Sequence, residues 1–519
     1  MLYPIGIQTF ESIRERGFVY IDKTDLIYKI VSEGTIYFLS RPRRFGKSLL
    51  LSTIKAYFQG KKQLFEGLAV ERLEKDWEVY PVFHVDFNGT DFTRPGSIEA
   101  KIESFLAGAE ESYGTTASTD TGVRFASVLA NAHKQTGHKC VVLVDEYDKP
   151  LLDVMDTPQE QVNRNELKAF YSTFKLADEH LRFVMLTGVT KFSQISVFSG
   201  FNQPNDISMD PRYETLCGIS EEEVEQYFSQ PLDEFAQEEG LTPEEMRREF
   251  KKQYDGYHFG KRLIDVYNPF SVLNALEKKI LDDFWFRSGS PSYLVRLLEH
   301  CDENINELAG KYYTTSEFID YRADIQRPLP MIYQSGYLTV KEYDRRSRRY
   351  RLDYPNDEVK RGFISMIAQS YLKTDAAGSN WCCQVMYALD VADLDTFHSL
   401  LTSFYASIPN SLRRKSSEEE KERDFHYTFY LIMRLLSTYI IFTEKETSQG
   451  TADCVLESQD YIYIFEFKRD STAQVAIDQI RSRGYAREYV ADHRKVFLIG
   501  CNFSTDSGTI DDWLAVESN

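Results

Sequence analysis

The chain lacks any run of about 18 apolar residues, so no membrane-spanning helix is expected. Its N-terminus, Met1-Leu2-Tyr3-Pro4, opens with neither a basic stretch nor an apolar one. A secretory leader is therefore not expected, and a cytoplasmic location is. Cysteine is scarce: seven in 519 residues, with no Cys-x-x-Cys, and the nine His are dispersed. That usage points to a reducing compartment and away from a structural zinc site. An excess of positive charge is missing as well. The net charge of −19 excludes a chain that coats nucleic acid over its whole surface, which needs clustered Lys and Arg. Basic residues do cluster locally, at Arg345-Arg346-Ser347-Arg348-Arg349-Tyr350-Arg351, at Arg413-Arg414-Lys415 and at Arg481, Arg483 and Arg487. Such runs are ordinarily solvated faces. If nucleic acid is a partner, it meets these local patches; no membrane partner is expected, and a homo-oligomer is left open.

What is present starts with ordinary globular composition, 42% hydrophobic and 14% aromatic over 519 residues. That is ample for sizeable cores and long enough for two to four domains. The most informative stretch is Ser40-Arg41-Pro42-Arg43-Arg44-Phe45-Gly46-Lys47-Ser48-Leu49-Leu50. The apolar Ile36-Tyr37-Phe38-Leu39 before it reads as a buried strand, and Leu49 to Phe58 reads as a helix. Strand, loop, Gly-Lys-Ser and helix is the layout of a phosphate-binding P-loop. Loop N–H groups and the positive end of the helix dipole converge where an anion would sit. Lys47 would reach the β/γ-phosphates of ATP and Ser48 would sit on Mg²⁺, with Arg44, Phe45, Gly46 and Leu49 completing the nucleotide-binding stretch. Arg41 stands where the pattern has its first Gly, and Arg41, Arg43 and Arg44 add charge where phosphates would lie. Tyr20 to Thr24 and a short helix from Asp25 to Ser32 would either cover the adenine or simply pack.

A second buried strand, Val82–Phe87, is expected next, then helices near Ser97–Glu111 and Val123–Lys134. Cys140-Val141-Val142-Leu143-Val144 then ends in Asp145-Glu146, the Walker B pattern. A buried parallel strand delivers such acids at its C-terminal end, where ligands bind in open α/β sheets. Asp145 would hold Mg²⁺ and Glu146 would orient and polarise the attacking water. A third buried strand, Leu181–Leu186, ends at Thr187, placed where a sensor residue would contact the γ-phosphate or the water. The start signals Ser220-Glu221-Glu222-Glu223 and Thr242-Pro243-Glu244-Glu245 open helices of a lid ending near residue 285.

Together, "FESIRERGFVYIDKTDLIYKI", "YFLSRPRRFGKSLLLSTIKAYF", "VVLVDEYDKP", "FVMLTGVTKFSQISVFSGFN", "YDGYHF" and "VYNPFSVLNAL" resemble the bacterial AAA-ATPase-like family. The resemblance spans nearly the whole chain. Members commonly carry a C-terminal domain of the PD-(D/E)XK nuclease superfamily, and the family too has Arg-Pro-Arg-Arg-Phe-Gly-Lys-Ser. The resemblance implies an α/β P-loop NTPase of the additional-strand type, with a parallel sheet that sets the Walker B and sensor strands beside the P-loop strand.

Four parts are expected: a P-loop domain over 1–215, a helical lid over 216–285, a winged-helix-like segment over 286–375 and an α/β nuclease-like domain over 376–519. In the third part, Met331–Val340 reads as helix, Gly turn and strand, and Tyr350-Arg351-Leu352 as a second strand with the basic run at the tip. That wing would touch a nucleic-acid backbone or pack between domains. In the fourth, a Ser/Glu-rich linker over 416–422 leads to an expected helix from Arg423 to Phe442. Tyr461 to Lys468 reads as a strand, and its period of two places Glu466 and Lys468 on one face. Asp453, on the neighbouring strand, joins them. Two carboxylates and a Lys at one point can bind Mg²⁺ and position a water for phosphodiester hydrolysis. The helix that follows, with Gln479 and Tyr485, fits the same pattern. Glu446, Glu444 or Glu422 would supply a further ligand. The family usually has Gly-Arg-x-Asp here; this chain has Gly450-Thr451-Ala452-Asp453.

These readings converge on an ATPase coupled to a Mg-dependent nuclease. Two alternatives stand beside it: a C-terminal module that binds without cleaving, and an NTPase switch whose partner is a protein.

Overall fold

A computed structural model describes residues 1–191, 204–288, 294, 308–319, 327–372, 379–407, 429, 433, 440–447, 450–458, 460–490 and 492–518. The Arg413-Arg414-Lys415 cluster and the 416–422 linker, with Glu422, lie outside them. The chain divides into two compact units, Met1–Lys360 and Arg361–Asn519. No described helix is long and apolar enough to cross a membrane.

The first unit is built on five parallel strands: β1 (Ile36–Ser40), β2 (Val82–Asp86), β3 (Cys140–Asp145), β4 (Leu181–Gly188) and β5 (Asn205–Asp206). Every residue of β3 is buried, the mark of a strand covered on both faces. Helices supply the cover: α1 (Thr24–Glu33), α2 (Lys47–Phe58), α3 (Ser97–Tyr113), α4 (Thr121–Thr136) and α5 (Pro158–Tyr171). Phe58 of α2 packs on Phe183 from one side, and Tyr113 of α3 and Phe125 of α4 pack on Phe83 from the other. The strand order is β2-β3-β4-β1-β5. The sensor strand β4 therefore lies beside β1, as expected. The Walker B strand β3 does not: β4 is inserted between them, and β3 registers on β4 with Val144 opposite Leu186.

Beyond this sheet come α6 (Glu221–Glu239), α7 (Pro243–Tyr254) and α8 (Pro269–Lys278), with the short pair β6 (Ile219–Ser220) and β7 (Val266–Tyr267). Both α6 and α7 start in a complete capping box, Ser220 with Glu223 and Thr242 with Glu245, so the Ser/Thr-x-x-Glu signals act as read. A helix, α9 (Leu329–Gln334), leads to a hairpin of β9 (Thr339–Asp344) and β10 (Arg349–Asp353), with β8 (Tyr312–Tyr313) on the far side of β10.

The second unit holds a five-stranded mixed sheet in sequential order: β11 (Ile440–Thr447), β12 (Gly450–Glu457), β13 (Tyr461–Arg469), β14 (Lys495–Phe503) and β15 (Ile510–Glu517). One face packs on α10 (Ser379–Asp390) and α11 (Leu394–Ser407) through Leu389, Phe397, Phe404, Phe465 and Phe467. The other packs on α12 (Ala473–Arg483) through Ile464, Leu498, Ile477 and Ile480. The helix expected up to Phe442 ends sooner: Ile440, Ile441 and Phe442 begin β11 and pair with Glu457, Leu456 and Val455. The β-branched and aromatic run Ile-Ile-Phe-Thr gains a full ladder there, which outweighs the helical periodicity read before it.

Candidate functional sites

The loop from Arg41 to Gly46 joins β1 to α2. Gly46 has φ 90° and caps α2; an ideal Cβ there would meet nothing, so glycine is required by the backbone, not by space. Lys47 is 4% exposed. Its ammonium donates to the Arg41 and Pro42 carbonyls at 3.1 Å each and lies 3.9 Å from Glu146 Oε1. The Lys therefore binds its own loop, and a phosphate oxygen would compete with those two carbonyls. Ser48 sits half-buried on the first turn of α2. Leu49 points elsewhere, packing partly buried on the Phe10–Phe65 cluster. Phe45 is buried edge-on against Tyr257 and Phe259, and its carbonyl accepts from Gly218 N.

Arg41 does not supply charge to a phosphate. It is 1% exposed, donates to the carbonyls of Ser40, Ser208 and Tyr213, and lies 4.1 Å over the Phe259 ring. A side chain at the first-Gly position has to go somewhere, and here it turns away from the loop interior and anchors the loop's first leg. Arg43 and Arg44 are exposed; Arg44, at φ 67°, stacks over Phe270 at 4.9 Å. The Tyr20–Thr24 stretch packs: Lys23 pairs with Glu223 at 2.5 Å and Tyr20 reaches Thr53 Oγ1 at 3.4 Å.

At the ends of β3 and β4, Asp145 is 2% exposed. Its Oδ1 accepts from Thr187 Oγ1 at 2.6 Å and from Glu146 N at 3.1 Å. Glu146 has φ 51°, a left-handed conformation uncommon for a residue with Cβ, and this turn carries its carboxylate toward Lys47. Thus Lys47, Asp145, Glu146 and Thr187 meet at one edge of the sheet. The sequence reading missed Asp148. It is fully buried; Oδ2 accepts from Val189 N, Thr190 N and Thr190 Oγ1, while Oδ1 has no hydrogen-bond partner among the described residues. Burial, then the neighbouring Glu146, pushes its pKa up to about 6. The third acid of Asp-Glu-Tyr-Asp was its signal. Gly188 makes room for it: an ideal Cβ there would lie 2.4 Å from Asp148 Oδ1.

The second site forms at the ends of β12 and β13. These strands pair antiparallel with Cys454 opposite Phe465, and the next step along brings Asp453 to Glu466. Asp453 Oδ2 accepts from Phe467 N at 2.8 Å. Glu466 is 1% exposed; Oε1 accepts from Lys468 Nζ at 2.9 Å, and Oε2 is buried without a hydrogen-bond partner among the described residues. Burial first, and Asp453 second, raises its pKa to about 7. A buried carboxylate oxygen with no donor is a vacancy in hydrogen bonding that a hard cation fills. The α12 helix closes over this face because Gly500, paired with Glu466 across β13 and β14, leaves room: a Cβ there would lie 2.2 Å from Ala473 O.

Thr451 is exposed, and its carbonyl accepts from Tyr485 Oη at 2.8 Å. Gln479 is half-buried on α12. The Glu444 and Glu446 side chains lie outside the described residues, as does Glu422. Among the described residues no three His, Cys, Asp or Glu side chains converge as a metal cage.

A family model described as "Predicted AAA-ATPase" matches residues 4–198. A second, described as "PD-(D/E)XK nuclease superfamily", matches residues 420–513. The chain is 36% identical over 515 residues to the "Uncharacterized protein in vnfD 5'region" of Azotobacter chroococcum mcd 1, a match that spans 98% of this chain and 97% of that relative.

Proposed function

This chain belongs to the AAA-ATPase-like family and carries a C-terminal domain of the PD-(D/E)XK nuclease superfamily, and from that premise we propose that it hydrolyses ATP and cleaves nucleic acid, the nucleotide state of the first unit gating the second. The observation that carries the cleavage reading is the buried Glu466 with its unpartnered Oε2 beside Asp453 and Lys468.

In the first unit, Lys47 would exchange the Arg41 and Pro42 carbonyls for phosphate oxygens. Ser48 and Asp145 would hold Mg²⁺, with Thr187 fixing the Asp145 carboxylate by its 2.6 Å bond. Glu146 orients the water. Positioning and charge neutralisation suffice for phosphoryl transfer. In the second unit, Asp453 and Glu466 would hold Mg²⁺. Lys468 stabilises the charge that develops on the phosphodiester. Bound Mg²⁺ would supply Lewis acidity and a water of lowered pKa.

ATP turnover by the full chain falls to the no-enzyme level in Lys47→Ala if the first half is right. DNA and RNA incubated with Mg²⁺ or Mn²⁺ are cut by wild type and not by Glu466→Ala if the second is. One observation favours a different reading: Thr451 stands where the family usually has Arg. Under that reading the C-terminal domain binds without cutting and the chain is a cytoplasmic NTPase switch. Metal-dependent cleavage of any substrate rules that reading out.

A further inference from the structure

The β9–β10 hairpin ends in Arg345-Arg346-Ser347-Arg348, followed by Arg349 at the start of β10. All five residues are exposed. Asp344 locks the turn: Oδ1 accepts from Arg346 N at 2.9 Å, and Oδ2 accepts from Ser347 N at 3.3 Å and Ser347 Oγ at 2.5 Å. The hairpin base is held by aromatic contacts, Tyr343 on Tyr350 at 4.7 Å and Phe318 on Tyr350 at 5.6 Å, with Phe318 in turn on Tyr333 of α9. The tip is thus a built projection of its base, not a slack loop.

Arg351, the last Arg of the run, is tied to Glu342 and Asp353 at 3.3 and 3.1 Å. Elsewhere in the unit Arg94, Arg124, Arg164, Arg212, Arg247 and Arg287 have carboxylate partners within 4.0 Å, and single residues such as Arg14, Arg16 and Arg182 sit instead on carbonyls or a ring; the tip differs in gathering four such cations in one turn. Arg345, Arg346, Arg348 and Arg349 have no ion pair among the described residues. In a chain of net charge −19, four exposed guanidinium groups stand within five residues, and only Arg349 is near enough to a carboxylate, Glu317, to help lower its pKa; self-neutralisation does not account for the run. Arg348 is exposed and takes φ 56°, a turn position where glycine would cost less.

We propose that this hairpin tip is a nucleic-acid backbone contact of the first unit, separate from the nuclease site. Guanidinium forks match phosphate oxygens two by two. The tip residues, Arg, Arg, Ser and Arg, include no apolar side chain to enter a bilayer, which disfavours a lipid surface. The excess acidic charge of the chain opposes broad contact with a polyanion, so a narrow exposed tip is the geometry by which such a chain can engage one. The contact reads backbone and not bases, so it is blind to sequence. The inference rests on nucleic acid being a partner, not on cleavage.

The test uses the full chain in a Glu466→Ala background, so that loss of cleavage and loss of binding are read apart. Fluorescence anisotropy follows labelled duplex DNA, single-stranded DNA and duplex RNA between 50 and 300 mM salt, on the order of the range where counterion release dominates. Replacing Arg345, Arg346, Arg348 and Arg349 by Ala, all on the surface, is expected to weaken binding at least tenfold at the lowest salt. The slope of log K on log salt becomes shallower by about 3 to 4, the loss expected for four phosphate contacts. A second variant, the same four positions as Lys, keeps charge and recovers most of the slope. The proposal is overturned if the Ala variant binds every nucleic acid as tightly as its parent, if no nucleic acid binds the parent, or if the tip instead governs binding to anionic phosphatidylserine vesicles.

Discussion

The Thr187 hydroxyl donates to Asp145 Oδ1 across 2.6 Å, joining the ends of two adjacent buried strands. Thr187→Val keeps the shape of the side chain and removes the donor. A buried carboxylate deprived of a hydrogen bond costs about 1 to 3 kcal/mol. We expect a matching loss of stability in urea denaturation and a fall in ATP turnover larger than the rise in KM. Unchanged stability and turnover together would show that Asp145 is held by other means.

Gly188 follows Thr187 at the end of β4. A methyl group there would lie 2.4 Å from Asp148 Oδ1 and 2.6 Å from the Tyr147 ring, contacts that no rotamer change of the alanine can relieve. Asp148 is pinned by three donors from Val189 and Thr190 and has little freedom to retreat. Overpacking of this kind costs about 1 to 3 kcal/mol. Gly188→Ala is expected to lower the unfolding free energy by that amount and to move the urea midpoint down accordingly. A midpoint equal to wild type would mean that the strand end yields, and that Asp148 is not held as tightly as its bonds indicate.

The strand–loop–helix around Lys47 was legible because Gly-Lys-Ser follows an apolar strand and precedes helical periodicity. Glu466 and Lys468 were legible as one face of a strand because a period of two is a rigid geometric rule, while Asp453 could be read only as a carboxylate on the strand before it. What escaped was set by partners far away along the chain. Arg41 reads as one more cation of a basic loop until Ser208 and Tyr213, 167 and 172 residues on, are seen to take its guanidinium inward. Asp148 sits two residues past Glu146 in plain view, yet its role depends on Val189 and Thr190, about forty residues later. The Glu146 backbone at φ 51° has no marker at all, since a sequence of Asp-Glu-Tyr-Asp carries no Gly to announce a left-handed turn. Ile440–Phe442 was misread because a helical period ran into β-branched residues whose strand partners, Val455 to Glu457, come later.

Asp255 gives a pH prediction outside both candidate sites. It is 2% exposed and burial, followed by the nearby Asp265, raises its pKa to about 7. Lys251 Nζ lies 3.4 Å away but is shared with Glu221 and Asp265. The folded chain therefore holds a proton that the unfolded chain releases near the ordinary Asp value of about 4. Stability from this group is present in full below about pH 4 and is lost as pH rises from there through about 7. Asp255→Asn removes the titration. It should flatten the stability profile between pH 5 and 8 and gain on the order of 2 kcal/mol at pH 8. Thermal melts of the two proteins across that range check it; a variant less stable at pH 8, with the slope unchanged, would contradict it.

Glu466 joins structure to chemistry most directly, because here stability and function are expected to move in opposite directions. Its Oε2 is buried without a donor, and Asp453 raises the cost of keeping it charged. An apo chain therefore carries a strained carboxylate, of the kind natural proteins retain where a ligand relieves it. Glu466→Gln removes the charge at nearly constant volume. In the absence of divalent cations we expect its thermal midpoint to rise above that of wild type. Adding Mg²⁺ should reverse the order: a cation bound only by the folded wild type, at ten times its dissociation constant, stabilises by about 1.4 kcal/mol and leaves the variant where it was. Differential scanning fluorimetry with EDTA and with Mg²⁺ reads both effects without any substrate. If wild type and variant respond equally to Mg²⁺, Glu466 does not hold a cation, and its burial has to be explained by folding alone.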